Sequence, residues 1–129
     1  MTISEKLEKM KEELKNEYEV KRQEKLDADV EELTDIIISG LKEAYLDAPY
    51  IGIYKFEMER IRIMDNGVEY EISIFQKEGP RRGELLIESF DKTIEEFKDS
   101  GIVDVKIEER NGVSEYPAEL YTFTLDLNK

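Results

Sequence analysis

The sequence predicts an α+β fold: a long N-terminal helix, then an antiparallel sheet of two β-hairpins with a second helix between them. Three observations carry this expectation. Apolar residues recur at steps of three and four from Ile3 to Tyr45, the spacing of a helix with one apolar face. Two Asn-Gly pairs, Asn66-Gly67 and Asn111-Gly112, sit beside β-rich runs as hairpin turns do. Between the two pairs, Leu86, Phe90, Ile94 and Phe97 return to helical spacing.

The first helix is marked by Ile3, Leu7, Met10, Leu14 and Tyr18, then by Leu26, Val30, Leu33, Ile37, Leu41 and Tyr45. No proline and a single glycine, Gly40, fall between Ile3 and Leu46. The two apolar runs are separated by the polar stretch from Lys15 to Lys25. Glu5 with Lys9 and Glu17 with Lys21 are four apart in the favourable order, so that stretch can stay helical in water. Two readings fit: one helix of about 65 Å at 1.5 Å per residue, or two helices broken near residues 25–29. Asp27 and Asp29 are acceptable N-caps, and the break is the favoured reading. Residues 1–25 then form a protruding arm of the single domain, Val30–Leu46 the main core helix, and Pro49 ends the run.

Ile51–Phe56 and Ile61–Ile63 read as strand, followed by Val68–Ile74 across the Asn66-Gly67 turn. A two-residue turn pairs Ile63 with Tyr70, Ile61 with Ile72, and Arg62 with Glu71 on the other face. Tyr54, Phe56 and Met58 are even-numbered while Ile61 and Ile63 are odd, which implies a bulge or break near Glu59. Residues 77–83 have loop composition. The second helix spans roughly 84–99, with Gly101 placed to cap its C-terminus. Ile102–Ile107 is a strand with Val103, Val105 and Ile107 inward. Leu120–Leu127 is the last, with Tyr121, Phe123, Leu125 and Leu127 on one face. Pro117 requires a bulge or a longer loop in this second hairpin. Helices on one face of an antiparallel sheet follow from that order.

Charge narrows the function. The 129 residues carry 32 acids and 19 bases, a net of −13. Residues 1–30 hold 9 acids and 7 bases, a net of −2, so the remaining −11 lies on the rest of the chain. Such a field repels phosphate backbones and attracts basic surfaces, so a protein partner with a basic surface is expected and direct nucleic-acid binding is not. No run approaches the roughly 18 apolar residues of a membrane span. The start lacks a signal peptide's basic and apolar regions, and there is no cysteine, so a cytoplasmic location is expected. Histidine is absent as well. Nucleophile pairs with histidine and the usual zinc sites are thereby ruled out, and neither a cofactor nor an enzymatic activity is expected. A carboxylate- or metal-dependent enzyme is the least favoured reading.

Three constellations stand out. On a helical projection starting at Leu86, Glu84, Glu88, Asp91, Glu95 and Asp99 fall within about 140–220°, opposite the core face. With Asp104, Glu108 and Glu109 on the next strand they form a candidate partner-binding surface, against the plainer reading of a solvated acidic face. Lys77, Arg81 and Arg82 are the tightest basic cluster, a weak candidate for anion binding beside the plainer role of neutralising nearby acids. Ile3, Leu7, Met10 and Leu14 form an apolar face that a small domain cannot cover alone, a candidate for oligomerisation as a homodimer. Asp27–Glu31 begins like a calcium loop but has Glu32 where glycine is needed and Ile38 where the closing glutamate belongs, so no metal site is expected. Asp104-Val105-Lys106 is too short a match to a nuclease element to carry weight.

In gross profile the chain resembles small acidic α+β inhibitors that occlude nucleic-acid-binding proteins, the phage anti-defence type among viral proteins. It equally resembles acidic dimeric chaperones. The leading expectation is a small acidic non-enzymatic protein-binding module that blocks a basic surface. The alternative is a self-associating structural, assembly or chaperone-like protein.

Overall fold

The computed structural model describes the backbone of residues 1–65, 68–76, 82–110 and 118–129, and the side chains of these outside 62–84. Helix α1 (Ile3–Asp47) opens the chain. Strands β1 (Ile53–Asp65), β2 (Val68–Gln76) and β3 (Arg82–Leu85) follow. Helix α2 (Ile87–Ser100) leads to β4 (Val103–Arg110) and β5 (Ala118–Asp126). The fold is α+β, as the sequence predicts.

Helix α1 is not broken. It runs 45 residues without interruption. Thr2 caps its start, its Oγ1 accepting from the Glu5 backbone N–H at 3.2 Å. Strong helix formers and polar pairs carry the middle: Glu17–Lys21 at 3.0 Å, Gln23–Asp27 at 2.9 Å and Lys25–Asp29 at 2.8 Å, each four apart. Asp27 and Asp29 are therefore interior residues, and neither starts a helix. Asp29 is buried, and its second oxygen accepts a hydrogen bond from Leu86 at 3.0 Å.

The strands form one sheet in the order β3-β2-β1-β5-β4, all neighbours antiparallel. The hairpin β1–β2 closes as expected at its tip, with Asp65 opposite Val68, but the register then shifts. Ile63 pairs with Glu71 and Arg62 with Ile72, one residue off the expected register, and Tyr70 is the extra residue. The expected bulge near Glu59 is absent. Strand β1 continues through it, so Arg60 keeps the inward parity of Tyr54, Phe56 and Met58.

Residues 82–85, expected as the end of a loop and the start of a helix, form the edge strand β3. Arg82-Gly83-Glu84-Leu85 has no alternation that would mark it as a strand. Helix α2 begins three residues later than expected and carries the chain from edge strand β3 to the opposite edge, β4. That crossover holds α2 against one sheet face. Gly101, at φ 68°, closes it in the left-handed conformation that glycine adopts without strain.

The core lies between the two helices and that sheet face. Leu33, Ile37 and Leu41 of α1 and Phe90 and Ile94 of α2 pack on Met58, Leu85, Tyr121 and Phe123. Val103, Val105 and Leu125 pack against them, as the alternation of β4 and β5 predicts, but Ile107, expected inward, is exposed. Phe90 meets Tyr121, and Phe97 meets Phe123, edge to face, with ring centroids 4.9 and 5.6 Å apart. Leu127, past the end of β5, is exposed. Gly40 lies where α1 crosses β1: a methyl there would run into the Phe56 ring. The two Asn-Gly turns, Lys77, Arg81 and Pro117 lie outside the described residues. Arg110 and Ala118 face each other across β4–β5 at the ends of a seven-residue connection.

Candidate protein-interaction surfaces

The carboxylate row on α2 divides in two. Glu84 lies in β3, so it is not part of the helix, and its side chain is outside those described. Glu88 and Asp91 are engaged within the chain. Arg22 of α1 reaches Glu88 through two hydrogen bonds, at 2.8 and 3.1 Å, and the pair ties the two helices together. That fork raises the Arg22 pKa above its ordinary value, through the hydrogen bond to Glu88 first.

Asp91 accepts from Arg60 at 3.0 Å, and Glu119 accepts from the other end of the same guanidinium at 3.1 Å. Arg60 and Glu119 sit directly opposite each other across β1–β5. The Arg60 side chain is 6% exposed, and its guanidinium lies over the rings of Phe90 and Tyr121, 5.0 and 5.6 Å from their centroids. Burial alone would lower its pKa, but Tyr121, Glu119 and Asp91 outweigh that, and the net shift is upward. The Tyr121 hydroxyl donates to Glu119 at 3.0 Å, and burial pushes its pKa well up. Among the described residues, the Arg60 Nε and the Ser89 hydroxyl are buried without a hydrogen-bond partner.

The sequence reading missed Arg22 and Arg60. The parity of Tyr54, Phe56, Met58 and Arg60 is the signal for the second. For Arg22 no local signal exists, because its partner is 66 residues away.

Glu95 and Asp99 remain on the outer face of α2 without an ion pair among the described residues. They border a shallow groove with Lys98, floored by Ile107 and Tyr121. Asp104 is exposed on β4, 3.7 Å from the Lys129 ammonium. Glu108 is held by Lys106 at 2.8 Å, which lowers its pKa through the hydrogen bond. Glu109 is exposed and faces Glu119 across β4–β5. Arg82 of the basic cluster lies in β3 with its side chain outside those described. Among the described residues there is no cluster of three acids, histidines or cysteines placed to hold a metal. Among the described residues no helix is long and apolar enough to cross a membrane.

The second surface is the start of α1. Every residue from Met1 to Lys21 is exposed, and Arg22 is the first to be half-buried. Ile3, Leu7, Met10 and Leu14 are 48–78% exposed. Their stripe does not continue the face that α1 buries. At 100° per residue, Ile3–Leu14 centre about 130° from the direction of Asp29, Leu33, Ile37 and Leu41. The arm thus presents a separate apolar seam, turned roughly a third of a revolution away from its own sheet. No family model matches the chain, and comparisons with the curated proteins and with the solved structures find no match.

Proposed function

We propose that this protein is a non-enzymatic protein-binding module that assembles through the projecting start of α1. One observation carries the reading. The first 21 residues are exposed, yet four of them form an apolar stripe aimed away from the body. The body does not need them, because its core closes around Leu33, Ile37 and Leu41. Packing of an amphipathic face supplies most helical stability in proteins, so a seam that covers the stripe also stabilises the helix.

The test replaces Leu7 and Leu14 together by Glu and compares association of the two proteins by sedimentation and by capture from the native host. Loss of association with an unchanged melting temperature supports the reading. Association equal to that of the unaltered protein sinks it.

A second reading, an inhibitor that occludes a basic or nucleic-acid-binding surface in the manner of phage anti-defence proteins, is favoured by Glu95, Asp99 and Asp104. These three are not consumed by α1 or by Arg60, and two of them border an apolar-floored groove. Reversal of all three to Lys then abolishes a binding that weakens steeply with salt. Binding that survives both changes removes this reading.

A further inference from the structure

We infer that the occupant of the arm's stripe is a second copy of this chain, lying antiparallel, a deepening that rests on the arm being a contact surface. The spacing of the stripe is four, three, four: Ile3, Leu7, Met10, Leu14. In heptad terms Leu7 and Leu14 take a positions and Ile3 and Met10 take d positions. That spacing reads the same in both directions. An antiparallel copy therefore puts Ile3 against the second copy's Leu14 and Leu7 against its Met10. The two-fold axis repeats both contacts, giving four a–d layers, with Tyr18 and Val20 lying beyond them toward the body.

The flanking charges choose the direction. Lys6 and Glu13 are the g residues, and Ser4 and Lys11 the e residues. Antiparallel helices bring g beside g and e beside e. Lys6 then meets the second copy's Glu13, twice by symmetry, and Lys11 meets the uncharged Ser4. Parallel helices bring g beside the next e, so Lys6 would meet Lys11, also twice. Opposite charges at such positions set orientation, and like charges oppose it.

The charge of the rest of the chain points the same way. Residues 31–129 carry −11, against −2 for residues 1–30. A parallel pair sets two such bodies side by side. In the antiparallel pair, Arg22 marks where each arm meets its body, about 20 Å from the two-fold axis at 1.5 Å per residue. The bodies then stand about 40 Å apart, several times the roughly 8 Å screening length at physiological salt. The seam is only four layers long, so association is weak and rises with concentration.

The test is sedimentation of the full chain from about 10 µM to about 1 mM, a span that covers weak self-association. The expected result is a monomer–dimer equilibrium. Lys6→Glu places two acids together in the antiparallel pair and weakens it about tenfold, whereas the same change relieves the parallel pair and strengthens it. Lys6→Glu with Glu13→Lys restores the antiparallel dimer.

Because the chain has no cysteine, an Ile3→Cys protein mixed with a Leu14→Cys protein reports direction. The mixed disulfide between the two is expected, and an Ile3→Cys homodimer disulfide in its place overturns the antiparallel pairing. A monomer across the whole range overturns self-pairing. If Leu7→Glu with Leu14→Glu still abolishes capture of a host protein in that case, the arm remains a contact surface for another partner. If that variant changes nothing, both readings fall.

Discussion

Asp29, in the middle of α1, accepts a hydrogen bond at 3.0 Å from the backbone N–H of Leu86, the N-cap residue of α2. Leu86 has no side chain able to cap its own helix. The carboxylate comes instead from another helix, buried and held by Lys25 at 2.8 Å. A negative charge at that place also complements the positive end of the α2 dipole. Asp29→Ala is expected to destabilise the fold by about 2–3 kcal/mol, the range for a hydrogen bond to a charged group whose partners are left buried. Asp29→Asn, which keeps the acceptor, costs less. Urea denaturation of the two variants checks this, and equal losses would rule out the cap as the cause.

Arg60→Ala takes a buried cation away from Glu119, which is 15% exposed, and from the more exposed Asp91. The expected loss is about 3 kcal/mol, the lower end for breaking a buried pair, because Asp91 is solvated. Arg60→Met combined with Glu119→Leu replaces the charged pair by apolar volume and recovers most of the loss. Chemical denaturation of the single and double variants measures both effects.

Gly40→Ala is expected to destabilise the protein although alanine favours helices by about 1 kcal/mol. The added methyl meets the Phe56 ring, and overpacking of this kind costs about 1–3 kcal/mol. Phe56→Leu in the same chain relieves the clash. A double-mutant cycle on melting temperature shows a favourable coupling if the contact is as described.

Tyr121 gives the protein an alkaline dependence. Burial, more than the nearby carboxylates, raises its folded-state pKa above the ordinary value of about 10. The group stays protonated in the folded chain while the unfolded chain ionises. Its contribution is therefore fully present below about pH 10 and is lost as pH rises toward the folded pKa. Tyr121→Phe removes this part of the alkaline slope, together with the hydrogen bond to Glu119. Stability measured between about pH 8 and pH 11 checks the sign.

Much of this fold could be read from local pattern. Phe90, Ile94 and Phe97 mark the α2 face that packs, and Val103, Val105, Phe123 and Leu125 mark the inner face of β4–β5. These positions are legible because burial follows the period of the element. Asp29 is not legible, because its partner is 57 residues away and an aspartate beside polar residues looks like the cap of its own helix. The register of β1–β2 slips for a similar reason. Alternation favours pairing Ile63 with Tyr70, but the extra residue at Tyr70 lets β1 stay regular and turn Arg60 inward, where Glu119 and Asp91 await it. At the surface, composition shows how acidic the body is but not which acids are engaged. Arg22 and Arg60 remove Glu88 and Asp91 from a row that the helical projection treats as uniform.

The continuity of α1 makes it a phase-locked shaft. Lys15 to Lys25 carries no glycine or proline hinge, so the azimuth of the outer stripe is set by the number of residues between Leu14 and Asp29. One alanine inserted there would swing whatever the arm holds by about 100° about the helix axis, and seven would lengthen the reach by about 10 Å while nearly restoring the original bearing. Chain length in that polar stretch is thus a geometric setting. It fixes both how far a bound neighbour stands from the sheet and which side of the body it faces.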